Sequence, residues 1–399
     1  MKPLVIVATL LGGEGPTGVE THFRQVAAVA CTHGVETIIV TPYTGSRSLR
    51  AIYRPLKNLN TEWGRAAYRR CQAWALRRQL HILFRGHSDR AITFYAQCPL
   101  SARAALAARG ARSARVLMVV HYNLSEGDEV VARGLARVGG GTWRRLRQLE
   151  RETLPRLDGI AFVSDFMRRM VNARVTSIRE VPQETIVNFP SALQPGEVEA
   201  RPERDLIAIG TLEPRKNQAF LLRVLSAAKR AGRRYTLTVV GDGPDRAKLE
   251  RLARMLDLTE QVRFLGFQPG ACRLISAHRA LVHAASVENC PIIIAEAFSR
   301  GRPVLAAPVG GIPELYDAGA EGDHWDLENP DEGAARLIAL LDDPARYAAM
   351  AAAALSRFER VFAAAPERWL HFLLASATPP ANGTRDAGPS PAALARGAA

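Results

Sequence analysis

The chain has 399 residues, 47% hydrophobic and 23% charged, with 53 basic against 39 acidic side chains and a net charge of +14. That length suits two domains of ordinary size and that composition builds packed cores, which excludes a disordered or fibrous chain; no apolar run reaches the roughly 18–20 residues that cross a bilayer. Five cysteines, odd in number and without C-x-x-C spacing, argue against a disulfide framework or a zinc site and suit a reducing compartment, while the positive excess attracts polyanions such as nucleic acid, anionic membrane or phosphorylated substrates.

The run LVIVATL at 4–10 is apolar and β-branched and reads as a buried parallel strand. With one lysine before it, the start could pass for a weak signal peptide, but the charged helix and second strand that follow favour a βαβ unit. Between strand and helix lies GGEGPTGVE at 12–20, where Gly13, Gly15 and Gly18 spell G-x-G-x-x-G. A dinucleotide fold also needs an acid at the end of its second strand, for the ribose hydroxyls. Here VETIIVT at 35–41 ends in Thr41-Pro42-Tyr43, and Pro16 removes an N–H from the loop. Those residues speak against NAD or FAD. A ligand-free turn and a loop facing some other anion at a helix N-terminus both remain open.

Residues 63–85 carry Arg65, Arg69, Arg70, Arg77, Arg78 and Arg85 among Trp63, Tyr68, Trp74, Leu76 and Leu80, and 142–157 is similar. Basic, aromatic-bearing helices of this kind can rest on anionic lipid, or can be solvated helix faces with ordinary core contacts. No RRM, KH, zinc-finger or helix-turn-helix pattern accompanies them, which disfavours nucleic acid. Strands are expected at 91–96, 116–123, 159–164 and 184–190, with helices between.

After Pro190 comes a polar, Pro- and Glu-rich linker over 191–204, and then the pattern restarts. Strands at 205–211, 235–241, 262–267, 279–285 and 303–309 alternate with amphipathic helices. The expected architecture is α/β: two doubly wound Rossmann-like domains, 1–190 and 205–345, facing across a cleft. Helices over 346–377 are expected to pack back on the first domain. A Pro-, Gly- and Ala-rich tail follows over 378–399, expected to be disordered.

Chemistry gathers at three strand-to-helix junctions of the second half. GTLEPRKN at 210–217 sets Arg215 and Lys216 side by side before a helix, which suits an anion such as a diphosphate. GDGPDRAKLE at 241–250 reads as a tight turn with Pro244 opening a helix. In SVENCPIIIAEAFSRGRPVLAAPVGGIPE at 286–314, Glu288 lies in a loop, Pro291 fits the first helical position, and Glu296 sits about a turn and a half inside. A carboxylate on so apolar a helix needs a partner, and ligand hydroxyls would serve. Gly310-Gly311 offers a second bare-backbone approach.

The E-x7-E spacing, with downstream G-x-P-V and GG-x-P-E and upstream G-T-L-x-P-R-K-N and G-D-G-P, resembles family 4 of the retaining glycosyltransferases, which have the GT-B fold. The resemblance spans nearly the whole chain up to the last helix and is looser in the first half. It implies a sugar moved from a nucleotide diphosphate donor to a saccharide, lipid-linked, in bacterial surface polysaccharide or lipopolysaccharide synthesis. Lys216 with Arg215 would neutralise the donor diphosphate. Backbone amides near Cys290, Pro291 and Ile292 would assist, although proline has none to offer. Glu296 would hold the ribose, Glu288 would contact the transferred sugar, and His121 would reach sugar or phosphate. Gly18, in the Gly-rich loop after strand one, would face the cleft near acceptor and donor phosphate.

One departure is Thr211, where many members of that family carry arginine; Arg215 is the candidate substitute. No D-x-D occurs in the sequence, so no metal and no other cofactor is expected. The expected location is cytoplasmic, peripheral on the inner membrane face. The competing readings are a polyanion- or membrane-binding protein with degenerate catalysis and a dinucleotide-dependent oxidoreductase.

Overall fold

The computed structural model describes residues 3–11, 18–44, 55, 62–87, 90–110, 114–132, 134–191, 193 and 202–375. Gly13, Gly15 and Pro16, most of the 191–204 linker and the 378–399 tail lie outside the described residues.

Two parallel six-stranded sheets form the frame. The first contains β1 (Leu4–Ala8), β2 (Glu36–Val40), β3 (Ile92–Ala96), β4 (Arg115–Val120), β5 (Gly159–Phe162) and β6 (Gln183–Thr185), in the order β2-β1-β3-β4-β5-β6. Its helices are α1 (Gly18–Thr32), α2 (Glu62–Gly86), α3 (Pro99–Arg109), α4 (Glu126–Ala132), α5 (Gly141–Thr153) and α6 (Asp165–Arg174). All five residues of β1 are buried, as a parallel strand covered on both faces requires. Ser164 caps α6 by accepting from the Met167 N–H.

The second sheet contains β7 (Arg204–Ile209), β8 (Leu237–Val240), β9 (Val262–Gly266), β10 (His278–His283), β11 (Val304–Ala306) and β12 (Gly322–His324), in the order β12-β11-β10-β7-β8-β9. Its helices are α7 (Gln218–Arg230), α8 (Arg246–Met255), α9 (Ile292–Phe298), α10 (Pro330–Leu341) and α11 (Pro344–Arg357). The winding reverses between β7 and β10, so the switch-point crevice opens beyond Ile209 and His283. β12, a polar edge strand of sequence Gly-Asp-His, carries no apolar period and was not foreseen.

The last helix, α12 (Ala365–Leu374), returns to the first domain. Trp369 is fully buried there, its Nε1 donating to the Val187 carbonyl at 3.0 Å, and the Thr93 hydroxyl donates to the Leu373 carbonyl at 3.2 Å. One apolar cluster thus runs from Val5 and Val119 through Trp369 and Phe362 to Ile294 and Val304, joining both domains. Trp369→Ala should therefore cost about 3–5 kcal/mol, read as a lowered urea midpoint; an unchanged midpoint would show that this helix contributes nothing to the fold.

The basic helices keep ordinary core contacts. In α2, Leu76 and Leu80 are buried in the core and cannot face lipid, whereas Trp74 and Ile82 stay more than half exposed. In the second stretch Leu146, Leu149, Leu154 and Leu157 are likewise buried, and Trp143 donates to Asp128 at 2.7 Å.

Candidate active site

The crevice at the switch point is floored by Ala208, Ile209, Val282 and Ala284 and edged by Lys216, Gln218 and His283. After β7 the chain passes Gly210 and Thr211 and makes a short turn, Pro214–Lys216, ended by Asn217 in left-handed conformation (φ 49°) before α7 begins. The turn is fixed from two sides. The Gln218 side chain donates to the Thr211 carbonyl at 3.0 Å, and the Ser286 N–H donates to the Arg215 carbonyl at 2.8 Å. The Gly-Asp-Gly-Pro turn lies against it so closely that a Cβ on Gly241 would stand 2.0 Å from the Gly210 carbonyl oxygen.

That bracing sets Lys216 against Glu288, Nζ to Oε2, at 2.5 Å. Arg215 stands 3.6 Å from the same carboxylate and pairs with Glu213 at 2.6 Å. His283, at the end of β10, completes the cluster with Nε2 3.5 Å from Glu288, too long for a directed hydrogen bond. Burial opposes ionisation of Glu288, but the Lys216 ammonium, with His283, outweighs it and holds the carboxyl well below the usual range. Burial lowers the His283 pKa by more than Glu288 raises it. Lys216 and Glu288 were expected to meet separate parts of a ligand. In this structure they neutralise each other.

The loop carrying Glu288 is gripped by the first domain. Ser164 donates to the Asn289 side-chain oxygen, and Asn289 Nδ2 donates to the Tyr122 carbonyl at 3.1 Å. Asn188 clasps the next residue, its Nδ2 on the Cys290 carbonyl at 2.7 Å and its N–H on Cys290 Sγ at 3.4 Å. Burial pushes the Cys290 thiol up to about 12, so it packs as a neutral group. On its other side the loop meets Gly310-Gly311, and Glu314 of the following turn accepts from the Asp165 N–H at 2.6 Å. Through the Asn289–Tyr122 bond, Glu288 and His121 are neighbours in sequence of two residues joined across the cleft.

His121 follows β4, and its buried Nε2 has no hydrogen-bond partner among the described residues. Its ring centroid lies 4.5 Å from that of His22, which is fully buried, meets the Tyr95 hydroxyl through Nε2 at 2.8 Å and packs on Trp369. Burial pushes His121 down to about 3 and His22 well below its ordinary value. Below the unfolded value of about 6.5 the unfolded chain takes up these protons and the fold does not, so stability falls as pH drops. Each histidine should remove about 1.4 kcal/mol per pH unit below about 6.5, until it protonates in place. Urea unfolding at about pH 7 and about pH 5 reads this, and equal stabilities would contradict it.

The remaining predicted residues stand apart from this cluster. Pro291 is the N-cap of α9 rather than its first helical residue, because the helix opens at Ile292. Glu296 lies within α9 and is partly buried. Thr211 is exposed and meets the cluster only through its carbonyl. Gly18 opens α1 with nothing among the described residues within 4 Å of a built Cβ. Sequence reasoning missed His283, Asn188, Ser164 and Asn289. Only His283 left a signal, as a polar residue ending an apolar strand at the switch point.

Comparison with known proteins bears on this geometry. Residues 16–183 match the family described as Glycosyltransferase Family 4, and 193–357 match Glycosyl transferases group 1. The chain is 30% identical over 302 residues to the GDP-mannose-dependent alpha-(1-6)-phosphatidylinositol monomannoside mannosyltransferase of Mycobacterium tuberculosis, covering 69% of this chain and 72% of that protein. The chain belongs to glycosyltransferase family 4.

Other family relatives match over shorter spans. The counterpart from Mycolicibacterium smegmatis is 32% identical over 37% of this chain and 41% of its own length. A lipopolysaccharide core biosynthesis glycosyltransferase, LpsD of Rhizobium meliloti, is 32% identical over 41% and 48%. These matches thus span under half of each relative. Among solved structures, Anabaena Alr3699/HepE in complex with UDP superposes with a TM-score of 0.65 at 18% identity, covering 94% of this chain and 99% of that one. Sucrose-phosphate synthase from Thermosynechococcus elongatus gives 0.67 at 15% identity, over 93% and 98%. Both confirm the two-domain GT-B fold expected of a family 4 glycosyltransferase.

Proposed function

We propose that this chain is a retaining glycosyltransferase that moves a sugar from a nucleotide diphosphate donor to a saccharide acceptor, lipid-linked, in surface glycan synthesis. The observation that carries the reading is the Lys216–Glu288 pair at the switch-point crevice of the second domain, held at 2.5 Å with Arg215 and His283 beside it. An incoming diphosphate would compete for Lys216 and Arg215 and free Glu288 for the transferred sugar. Negative charge grows on the leaving phosphate as the C1–O bond breaks, so fixed cations and the first amides of α9 are worth most in the transition state. The leaving phosphate would take the acceptor's proton as the acceptor oxygen bonds C1 on the same face. Glu296 would hold the ribose, and the buried, neutral His121 would offer Nε2 to a sugar hydroxyl. The proposed transfer involves no metal or other cofactor.

The names of the relatives guide the choice of donor. GDP-mannose appears in the mannosyltransferases, and UDP is bound in the GT-B neighbour. Thermal shift with UDP-, GDP- and ADP-sugars tests the reading, because a donor that binds only the folded chain raises its melting temperature; at about 100 times Kd the gain is about 2.7 kcal/mol. A shift with one base is the expected result, and no shift with any would overturn the proposal. We further propose peripheral contact with the inner membrane face through α2, whose Trp74 and Ile82 are exposed among arginines, Arg78 lying 5.9 Å over the Trp74 ring. No helix among the described residues is long and apolar enough to cross a membrane.

A further inference from the structure

Away from the crevice, the outer edge of the first sheet carries a groove of about 400 Å³, lined by Arg168, Arg169, Asn172, Arg179, Val181 and Gln183. Three arginines line it from two elements, α6 and the segment leading into β6, and no carboxylate is among the lining residues. The nearest paired acids stand outside the lining: Asp165, 3.0 Å from Arg168, and Glu314, 3.0 Å from Arg169. Arg179 has neither an ion pair nor a side-chain hydrogen bond among the described residues and stands exposed beside Glu180.

The wall below is rigid. Asn172 and Gln183 exchange side-chain hydrogen bonds at 2.7 and 3.1 Å, and Gln183 also donates to the Ile178 carbonyl at 2.8 Å. The amide groups therefore hold α6 against the edge strand and fix the spacing of the arginines. A concave surface whose charged lining residues are all cationic draws counter-ions, and Arg179, which shares its charge with no acid among the described residues, contributes most to that field. All its cations are arginines, whose planar forks take phosphate oxygens two at a time, where lysine would offer a point charge.

We propose that this groove is a second anion site, separate from the donor crevice and from α2, which takes a phosphate or pyrophosphate group. That group could belong to an anionic lipid headgroup or to a soluble phosphorylated glycan. The shared chemistry is tested first with inorganic pyrophosphate. To silence the crevice without stranding a buried charge, calorimetric titration uses the full chain with Arg215→Gln, Lys216→Gln and Glu288→Gln and compares it with the same chain also carrying Arg168→Gln and Arg179→Gln. Both added substitutions are on exposed side chains, and matching melting curves confirm the fold. The proposal expects saturable pyrophosphate binding in the first protein, at least about tenfold weaker in the second. No binding in the first, or equal binding in both, overturns it.

Co-sedimentation with phosphatidylglycerol vesicles then names the source. A loss of vesicle binding caused by the two arginine substitutions assigns the groove to a lipid headgroup. Unchanged vesicle binding beside lost pyrophosphate binding assigns it to a soluble ligand.

Discussion

Lys216→Gln should lower sugar transfer by about 10²–10³-fold, because the substitution removes the cation best placed to meet charge on the leaving diphosphate. It should also destabilise the unliganded chain by about 3–5 kcal/mol, since Glu288 is left largely buried without its main counter-ion. The two effects have different causes and can be separated. In the double variant Lys216→Gln, Glu288→Gln no buried charge is stranded, so stability should largely return while transfer stays lost. Urea midpoints and initial rates on the three proteins decide this. Recovery of transfer together with stability would mean that Lys216 serves the fold alone.

Gly310→Ala should be among the most damaging single substitutions in the second domain. Gly310 has φ +59°, and a Cβ there would stand 1.7 Å from the Glu288 carbonyl oxygen, a backbone atom that cannot move without the loop. Strain from the left-handed backbone alone costs roughly 1–2 kcal/mol. Gly319→Ala supplies that baseline, because Gly319 has φ +85° and open space around the added carbon. Gly310→Ala should exceed it by several kcal/mol, or yield a chain that no longer folds, and any folded protein should show a weakened donor shift. Equal urea midpoints for the two variants would show that the Glu288 loop yields freely, and the braced geometry described for it would be wrong.

These two positions also show what was legible beforehand. The alternation of β-branched runs with amphipathic helices carried the two-sheet architecture, because a strand covered on both faces must be apolar throughout. The diglycine, the Pro-Arg-Lys turn and the two spaced glutamates were visible for a similar reason, each being a local departure from the composition around it. The pairing of Lys216 with Glu288 was not visible. It joins residues 72 apart and depends on how two loops lean together. The cross-domain clasp was hidden more deeply. Ser164, Asn188 and Asn289 are common loop residues, and their meaning comes only from the carbonyls they reach in the other lobe. The basic helix was ambiguous in sequence, open to lipid or to core contacts, and only packing shows that Leu76 and Leu80 turn into the core.

The most direct test is a crystal structure with a non-hydrolysable analogue of whichever sugar nucleotide gives the thermal shift. The account predicts the diphosphate within hydrogen-bonding distance of Lys216 Nζ, the Lys216–Glu288 pair opened, and the ribose at Glu296. A diphosphate seated elsewhere, with that ion pair intact beneath it, would contradict the account.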